Sequence, residues 1–290
     1  MGPTPEAIAA AQAAGAEVVR QTPVLTTNTL SKQVGATVVF KAENLQRTGS
    51  FKLRGALAKI AALERFEPEL NGVVCGSAGN HAQAVAYAAR ARQIPCEVFM
   101  PLGAPIAKTE AVTALGANVH LVGVSVDESI AAAQAHASAS GQAFIHPFDD
   151  PDVIAGQSTV GLELAAQVPE LDRVVVPIGG GGLISGIALA LKAARPEIEI
   201  IGVQVERCAP VKDSLSAGRP LVFREPRATI ADGIAVKRPG ELTLELINRW
   251  VDDVLVVSED QVAEAMVFML ERAKLVVEGA GAVGVAAALG

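Results

Sequence analysis

The chain has 290 residues, half of them apolar and 19 % charged, with 24 basic against 31 acidic side chains and a formal net charge of −7. The apolar share supplies a core for one large domain or two smaller ones and excludes a disordered chain. The acidic balance argues against a nucleic-acid partner, and aromatics at 3 % leave too few rings for a stacking platform. The cysteines Cys75, Cys96 and Cys208 form no CxxC pair and fit a reducing cytosol better than a disulfide scaffold. The N-terminus carries neither a basic n-region nor a continuous apolar h-region, so a mature cytoplasmic start is expected. One uncharged run, Val174 to Leu191, approaches the length of a membrane span, but Pro177 and a run of glycines interrupt it. No membrane segment is expected.

Taken along the chain, short Val- and Ile-rich runs alternate with helical patterns. Strands are predicted at Thr37–Ala42, Val73–Cys75, Cys96–Met100, Asn118–Val122, Ala143–His146, Arg173–Ile178, Ile198–Val205 and Asp253–Val257. Helices are predicted at Phe51–Phe66, His81–Gln93, Lys108–Leu115, Val126–Ser140, Val153–Val168, Leu183–Ala194 and Glu259–Lys274. Buried strands each followed by a helix define an α/β fold with parallel sheets flanked by helices. Gly116 and Gly141 are placed to end helices in the left-handed conformation. Turn-rich segments at 67–72 and 146–151 bracket four of the strands. They suggest a small mobile domain, 67–145, inserted in a large one made of 1–66 and 146–290, with a cleft between the two lobes.

Three features carry chemistry. The first is the run Gly179, Gly180, Gly181, Gly182, which lies between a buried strand and the helix opened by Leu183. Glycines let the backbone turn tightly and present N–H groups, and the helix N-terminus adds a favourable dipole, so a phosphate is the natural ligand. A plain strand-to-helix turn is the bland alternative. Gly180-x-Gly182-x-x-Ser185, with Glu206 ending the next strand, also approximates a dinucleotide fingerprint. The second feature is Ser50-Phe51-Lys52-Leu53-Arg54-Gly55-Ala56, with Thr48 or Ser50 as the expected helix cap. Lys52 falls in the first turn, where the positive end of the dipole disfavours a cation. A neutral amine there attacks a carbonyl to form a Schiff base. Taken alone, without the two other features, it reads more readily as a solvated surface lysine.

The third feature is Gly76-Ser77-Ala78-Gly79-Asn80-His81-Ala82-Gln83, a strand-to-helix loop whose backbone N–H groups suit a carboxylate. Asn80 adds a side-chain donor, or alternatively serves only as a helix cap. His81, His120, His136 and His146 lack metal-ligand spacing, and no metal site is expected. A Schiff-base lysine, a phosphate cup and a carboxylate loop together match what pyridoxal 5'-phosphate and an amino acid need.

SFKLRGA, GSAGNHAQ and PIGGGGLISG, in that order, resemble the fold-type II pyridoxal-phosphate enzymes of the tryptophan synthase β-like fold. Within them they are most similar to the threonine dehydratase (ammonia-lyase) and serine racemase branch. DDPDVIAGQSTVGLE, TIADGIAVKRPG and VVEGAGAVG extend the similarity over nearly the whole chain. The resemblance implies that Lys52 carries the cofactor and then acts as the α-proton base. It implies that Phe51 packs on the ring, Asn80 hydrogen-bonds the ring hydroxyl, and Gly179 to Leu183 cradle the phosphate. Gly233 would line the opposite ring face, and Ser77, Ala78, Gly79, Asn80 and His81 would bind the substrate carboxylate. Lys52 and the phosphate cup would sit on the large domain and the Asn80 loop on the small one.

The implied reaction is α,β-elimination of L-threonine to 2-oxobutanoate and ammonia, or of L-serine to pyruvate. Amino-acid metabolism, with isoleucine biosynthesis as its place, and a homodimer or homotetramer are implied too. The racemases carry a serine acid/base where this chain has Ala78, which favours elimination. The alternatives are a racemase or lyase acting on another β-hydroxy amino acid, a non-catalytic amino-acid-binding relative, and, weakest, a dinucleotide-dependent dehydrogenase. Glu206 matches the first acidic place of a family cation site, but Lys212 takes the second, so no tight divalent site is expected. Gly290 falls inside a helical stretch that follows Glu278, before the small polar residue that meets the pyridine nitrogen in the family, and the chain is expected to be a truncated version of a longer protein.

Overall fold

The computed structural model describes residues 2–67 and 69–290. Met1, the first residue of the expected large domain, and Pro68, within the expected 67–72 turn, lie outside the described residues. In chain order the elements are α1 (Pro5–Gly15), β1 (Val24–Thr26), α2 (Asn28–Val34), β2 (Val39–Lys41), α3 (Lys52–Phe66), β3 (Val73–Gly76) and α4 (Asn80–Arg92). There follow β4 (Cys96–Met100), α5 (Ile106–Ala114), β5 (Asn118–Leu121), α6 (Val126–Ser140), β6 (Ala143–Phe144) and α7 (Pro151–Gln167). The rest are β7 (Arg173–Pro177), α8 (Gly182–Ala194), β8 (Glu199–Val205), α9 (Pro210–Ala217), α10 (Glu241–Trp250), β9 (Asp253–Val257), α11 (Glu259–Phe268) and α12 (Gly279–Leu289).

Two compact units emerge. One comprises Pro3–Arg20 and Leu45–Gly156. Its sheet is parallel, in the order β5-β4-β3-β6, with Val73 paired to both Cys96 and Ala143. The short β3, Val-Val-Cys-Gly, is buried along its whole length, as expected of a strand inside a parallel sheet. Leu53, Leu57 and Ile60 recur along α3 at helical spacing and are fully buried in a core shared with Val73, Val85, Val98 and Ile145. Each such aliphatic side chain contributes about 1.5–3 kcal/mol on burial. Helix α6 shows how local sequence sets an element's bounds. The Ser125 hydroxyl accepts from the Glu128 N–H at 3.3 Å, and Gly141 ends the helix at φ 72°.

The other unit comprises Gly2, Gln21–Asn44 and Gln157–Gly290. It holds the parallel sheet β7-β8-β9 and the antiparallel pair β1-β2. Val203, Val205 and Val257 form its core with Val262, Ala265, Ala282, Val283 and Ala286. The expected small domain, 67–145, lies within the first unit, which also takes in 3–20, 45–66 and 146–156. Lys52 and Asn80 therefore share a unit, where the resemblance implied separate domains.

Two local expectations are corrected. Helix α3 is preceded by Phe51 in helical conformation with no side-chain cap, and the hydroxyls of Thr48 and Ser50 accept no helix N–H. The predicted helix 259–274 is α-helical only to Phe268; a π turn, Met269–Ala273, follows and ends at Lys274 with φ 58°. Among the described residues no helix is long and apolar enough to cross a membrane.

Candidate active site

Lys52 opens α3 and is partly buried. Its Nζ donates to the Pro147 carbonyl at 2.8 Å and lies 5.4 Å from the centroid of the Phe51 ring. Burial strips water from the ammonium and lowers its pKa to about 8. The helix dipole invoked from sequence gives the same direction, but desolvation is the cause the structure supplies. With a pKa near 8, roughly a tenth of the amine is neutral at pH 7, several hundred-fold more than for an ordinary lysine. Two residues earlier, the Ser50 hydroxyl is buried without a hydrogen bond, and so is that of Thr48. A buried hydroxyl with no protein partner calls for a water or a polar ligand group to satisfy it.

The loop after β3 is held from both ends. The Ser77 N–H donates to the Phe99 carbonyl at 3.0 Å, and the Ser77 hydroxyl accepts from the Gly79 N–H at 3.1 Å. Gly79 then precedes α4 without a side-chain cap on the helix. His81 is 6 % exposed, and its Nε2 lies 3.0 Å from the Ile145 carbonyl. Desolvation, with the nearby Lys52 charge adding to it, lowers the His81 pKa to about 3, so the ring is neutral and donates through Nε2–H. His81 thus ties the 77–81 loop to the end of β6 and is not itself a proton carrier at neutral pH.

In the other unit, the glycine run turns from β7 into α8 with Gly181 at φ 101°. A Cβ at Gly181 would lie 2.9 Å from the Cβ of Thr243 and from Cδ1 of Ile247. One at Gly179 would lie 3.2 Å from the Ile234 Cα. The Thr243 hydroxyl fastens the run by donating to the Gly180 carbonyl at 2.6 Å, and it accepts from the Gly240 N–H at 3.1 Å. Packing therefore leaves little room for a Cβ at 179 or 181, and the run leads into the N-terminus of a 13-residue helix whose first-turn N–H groups lie outside the helical ladder. Gly233 lies exposed in the single turn Asp232–Ile234, where a Cβ would come 3.0 Å from that of Ala280. Leu183 follows Gly182 within the first turn of α8. Taken each by itself, the glycine run in one unit fits a phosphate, and the amine of lowered pKa in the other fits an aldehyde.

The structure adds two residues that sequence reasoning passed over. Pro147 supplies the carbonyl that holds Lys52, and His146 organises the turn that carries it. Both lie in the segment 146–151, read from sequence as a turn-rich domain boundary with His146 ending a strand; its His-Pro-Phe-Asp-Asp composition is the available signal. Near Glu206, the carboxylate accepts from the Glu259 N–H at 3.3 Å, and among the described residues no group of three His, Cys, Asp or Glu side chains could hold a metal ion.

The profile of the family described as pyridoxal-phosphate dependent enzyme matches residues 15–290, and the chain belongs to that family. Among curated relatives, the L-threonine ammonia-lyase of Thermotoga maritima is 49 % identical over 286 residues, covering 99 % of this chain and 71 % of its own. The L-threonine dehydratase catabolic TdcB of Escherichia coli is 44 % identical over 262 residues, covering 90 % and 79 %. Among solved structures, maize serine racemase superposes with a TM-score of 0.95 at 39 % identity, covering all of this chain and 87 % of that one. The fold is that of the fold-type II enzymes, the cofactor is pyridoxal phosphate, and the dinucleotide reading of the glycine run falls away.

Proposed function

We propose that the protein is a lyase that eliminates water and ammonia from L-threonine, and from L-serine as a second substrate, giving 2-oxobutanoate or pyruvate. The similarity to proteins named L-threonine ammonia-lyase over nearly the whole chain carries this reading. Pyridoxal phosphate, when bound, supplies the electron sink that acidifies the Cα–H of the amino acid. Lys52 is the residue that holds the cofactor covalently and then takes the α-proton on Nζ, a task for which its lowered pKa leaves a usable neutral fraction. Phe51 packs beside the amine and offers its ring to the cofactor. The backbone of Ser77, Ala78, Gly79, Asn80 and His81 binds the substrate carboxylate, with Asn80 also directed to the cofactor's ring hydroxyl. Gly179, Gly180, Gly181, Gly182 and Leu183 hold the phosphate, and Gly233 lines the ring. A lobe of residues 67–145 moving as a unit is part of the same proposal.

Ala78 bears on the choice between elimination and racemisation. Racemisation needs a second acid/base on the face opposite the lysine, and a methyl group carries no proton. The structural likeness to serine racemase gives that second reading its standing, and Ala78 is the observation against it. A cytoplasmic enzyme is supported by Cys75, Cys96 and Cys208, all of them free and buried. The catabolic name of the Escherichia coli relative favours amino-acid degradation over isoleucine biosynthesis. Assembly as a homodimer or homotetramer completes the reading. The test is purified protein reconstituted with pyridoxal phosphate and given L-threonine or L-serine, with 2-oxo acid and ammonia measured. Equal amounts of both products, abolished by Lys52→Ala, are expected. A visible cofactor absorbance without 2-oxo acid from either substrate would refute the lyase in favour of a binding protein.

A further inference from the structure

The turn after β6 has an unusual organiser. His146 Nδ1 accepts two backbone N–H groups, from Phe148 at 3.2 Å and from Asp149 at 2.7 Å. This is the pattern by which an Asp or Asn side chain closes a turn onto the second and third residues beyond it, here supplied by an imidazole. Between the clamping residue and its two donors sits Pro147, whose carbonyl accepts from Lys52 Nζ at 2.8 Å. Proline fixes its own φ, so once the 148 and 149 amides are tied back to His146 the carbonyl has little freedom left. The imidazole is itself held edge-on to the Phe148 ring, with centroids 4.7 Å apart and planes at 84°, and at 6.3 Å from the Phe144 ring. Because Nδ1 accepts, the neutral ring must carry its hydrogen on Nε2. Lys52, Asp149 and Asp150 are the charged groups around it, and burial together with the Lys52 charge keeps the ring neutral against the pull of the two carboxylates.

We propose that His146 is a positioning residue for Lys52: its Nδ1 clamps the 147–149 turn so that the Pro147 carbonyl holds the amine in a dry, fixed place. The proposal rests on Lys52 being the cofactor-binding amine. It assigns His146 no contact with substrate and no proton transfer.

Two substitutions separate this role from packing. His146→Phe keeps an aromatic ring between Phe144 and Phe148 but has no acceptor at the δ position. His146→Asn loses the ring but places Oδ1 where Nδ1 was. The reductive methylation of Lys52 in the 290-residue chain, freed of pyridoxal phosphate, reports the amine directly when followed by mass spectrometry as a function of pH. In the wild type the labelling midpoint lies near 8. His146→Phe relaxes the turn and admits water, so the midpoint rises towards the ordinary 10.5 and labelling at neutral pH falls by about tenfold. His146→Asn keeps the wild-type profile. An unchanged or lowered midpoint in His146→Phe, or a larger shift in His146→Asn than in His146→Phe, overturns the proposal.

A second measurement needs no variant. With only 4 histidines in the chain, nitrogen-15 spectra of histidine-labelled wild type resolve the His146 tautomer. Nε2–H is expected, and an Nδ1–H ring overturns the clamp. Neither readout involves threonine turnover, so the clamp can fail while the lyase reading stands, and the reverse.

Discussion

The buried amine of Lys52 predicts its own energetic signature. Replacing it with methionine, Lys52→Met, keeps the length of the side chain and removes the charge. The difference between a pKa of about 8 in the fold and 10.5 in water corresponds to about 3 kcal/mol of discrimination against the ammonium. The residue is partly exposed and its Nζ keeps the Pro147 carbonyl, so roughly 1–2 kcal/mol of that is expected to appear as added stability of the variant near neutral pH. The sign of the pH dependence follows from proton counting. Below about pH 8 the amine is protonated in both folded and unfolded chains and the gap between variant and wild type is constant. From about 8 to 10.5 the unfolded wild type binds one more proton than the folded one, so its stability rises with pH and the gap narrows. Urea unfolding of both proteins without cofactor, at about pH 7 and about pH 10, measures this, and the difference between the two removes the titration of every other group. A variant no more stable than wild type near neutrality, or a gap that does not change with pH, would refute the desolvation argument.

Three further outcomes are expected. Gly181→Ala forces a Cβ to within 2.9 Å of Thr243 and Ile247 at a residue with φ 101°, so it should cost about 1–3 kcal/mol and weaken pyridoxal phosphate capture, read by thermal unfolding and by titration of the cofactor's absorbance. Ser50→Ala removes a buried hydroxyl that has no partner, so the cofactor-free protein should melt no lower than wild type. A lowered melting temperature would show that the hydroxyl is structural and not reserved for a ligand. On the proposed reading, Ala78→Ser supplies the hydroxyl that racemisation needs and should generate D-serine from L-serine, measurable by chiral chromatography. No D-serine at all would count against the role given to this position.

Much of the frame was legible from the sequence because its signals are local. Cys96–Met100, Val126–Ser140 and Asp253–Val257 are found at the predicted bounds. The reasons are visible in the chain: a short apolar run between turns for the strands, Val-Phe-Met in one and Val-Leu-Val-Val in the other, and Ser125 with Gly141 for the helix. Helices α1, α2, α9 and α10 were not predicted. Helix α2 is only seven residues long and α9 only eight, with little beyond a proline at its first position to announce it. At the candidate site, residue types in order were enough to mark Lys52, the 77–81 loop and the glycine run. The Pro147 carbonyl and the His146 clamp were not legible, because a backbone acceptor has no residue type and a tautomer has no letter. The orphaned hydroxyls of Thr48 and Ser50 were misread for a related reason. Ser and Thr before a helix usually cap it, and only the structure shows that here they do not.

The pairing of β3 with β6 also has a kinetic side. Lys52 and Pro147 are 95 residues apart in sequence, and His81 and Ile145 are 64 apart. Their meeting depends on a short two-residue register, Val73 with Ala143 and Val74 with Phe144, between strands separated by β4, β5 and the helices α4, α5 and α6. Because loop closure opposes so distant a pairing, β6 is expected to dock after the more locally connected β3-β4-β5 part of the sheet has formed. A chain emerging from unfolding therefore carries an ordinary lysine at position 52 until the last strand docks, and acquires its reactive amine only then. Capture of pyridoxal phosphate during refolding should lag behind the recovery of helical signal, making the cofactor a late clock for completion of this unit.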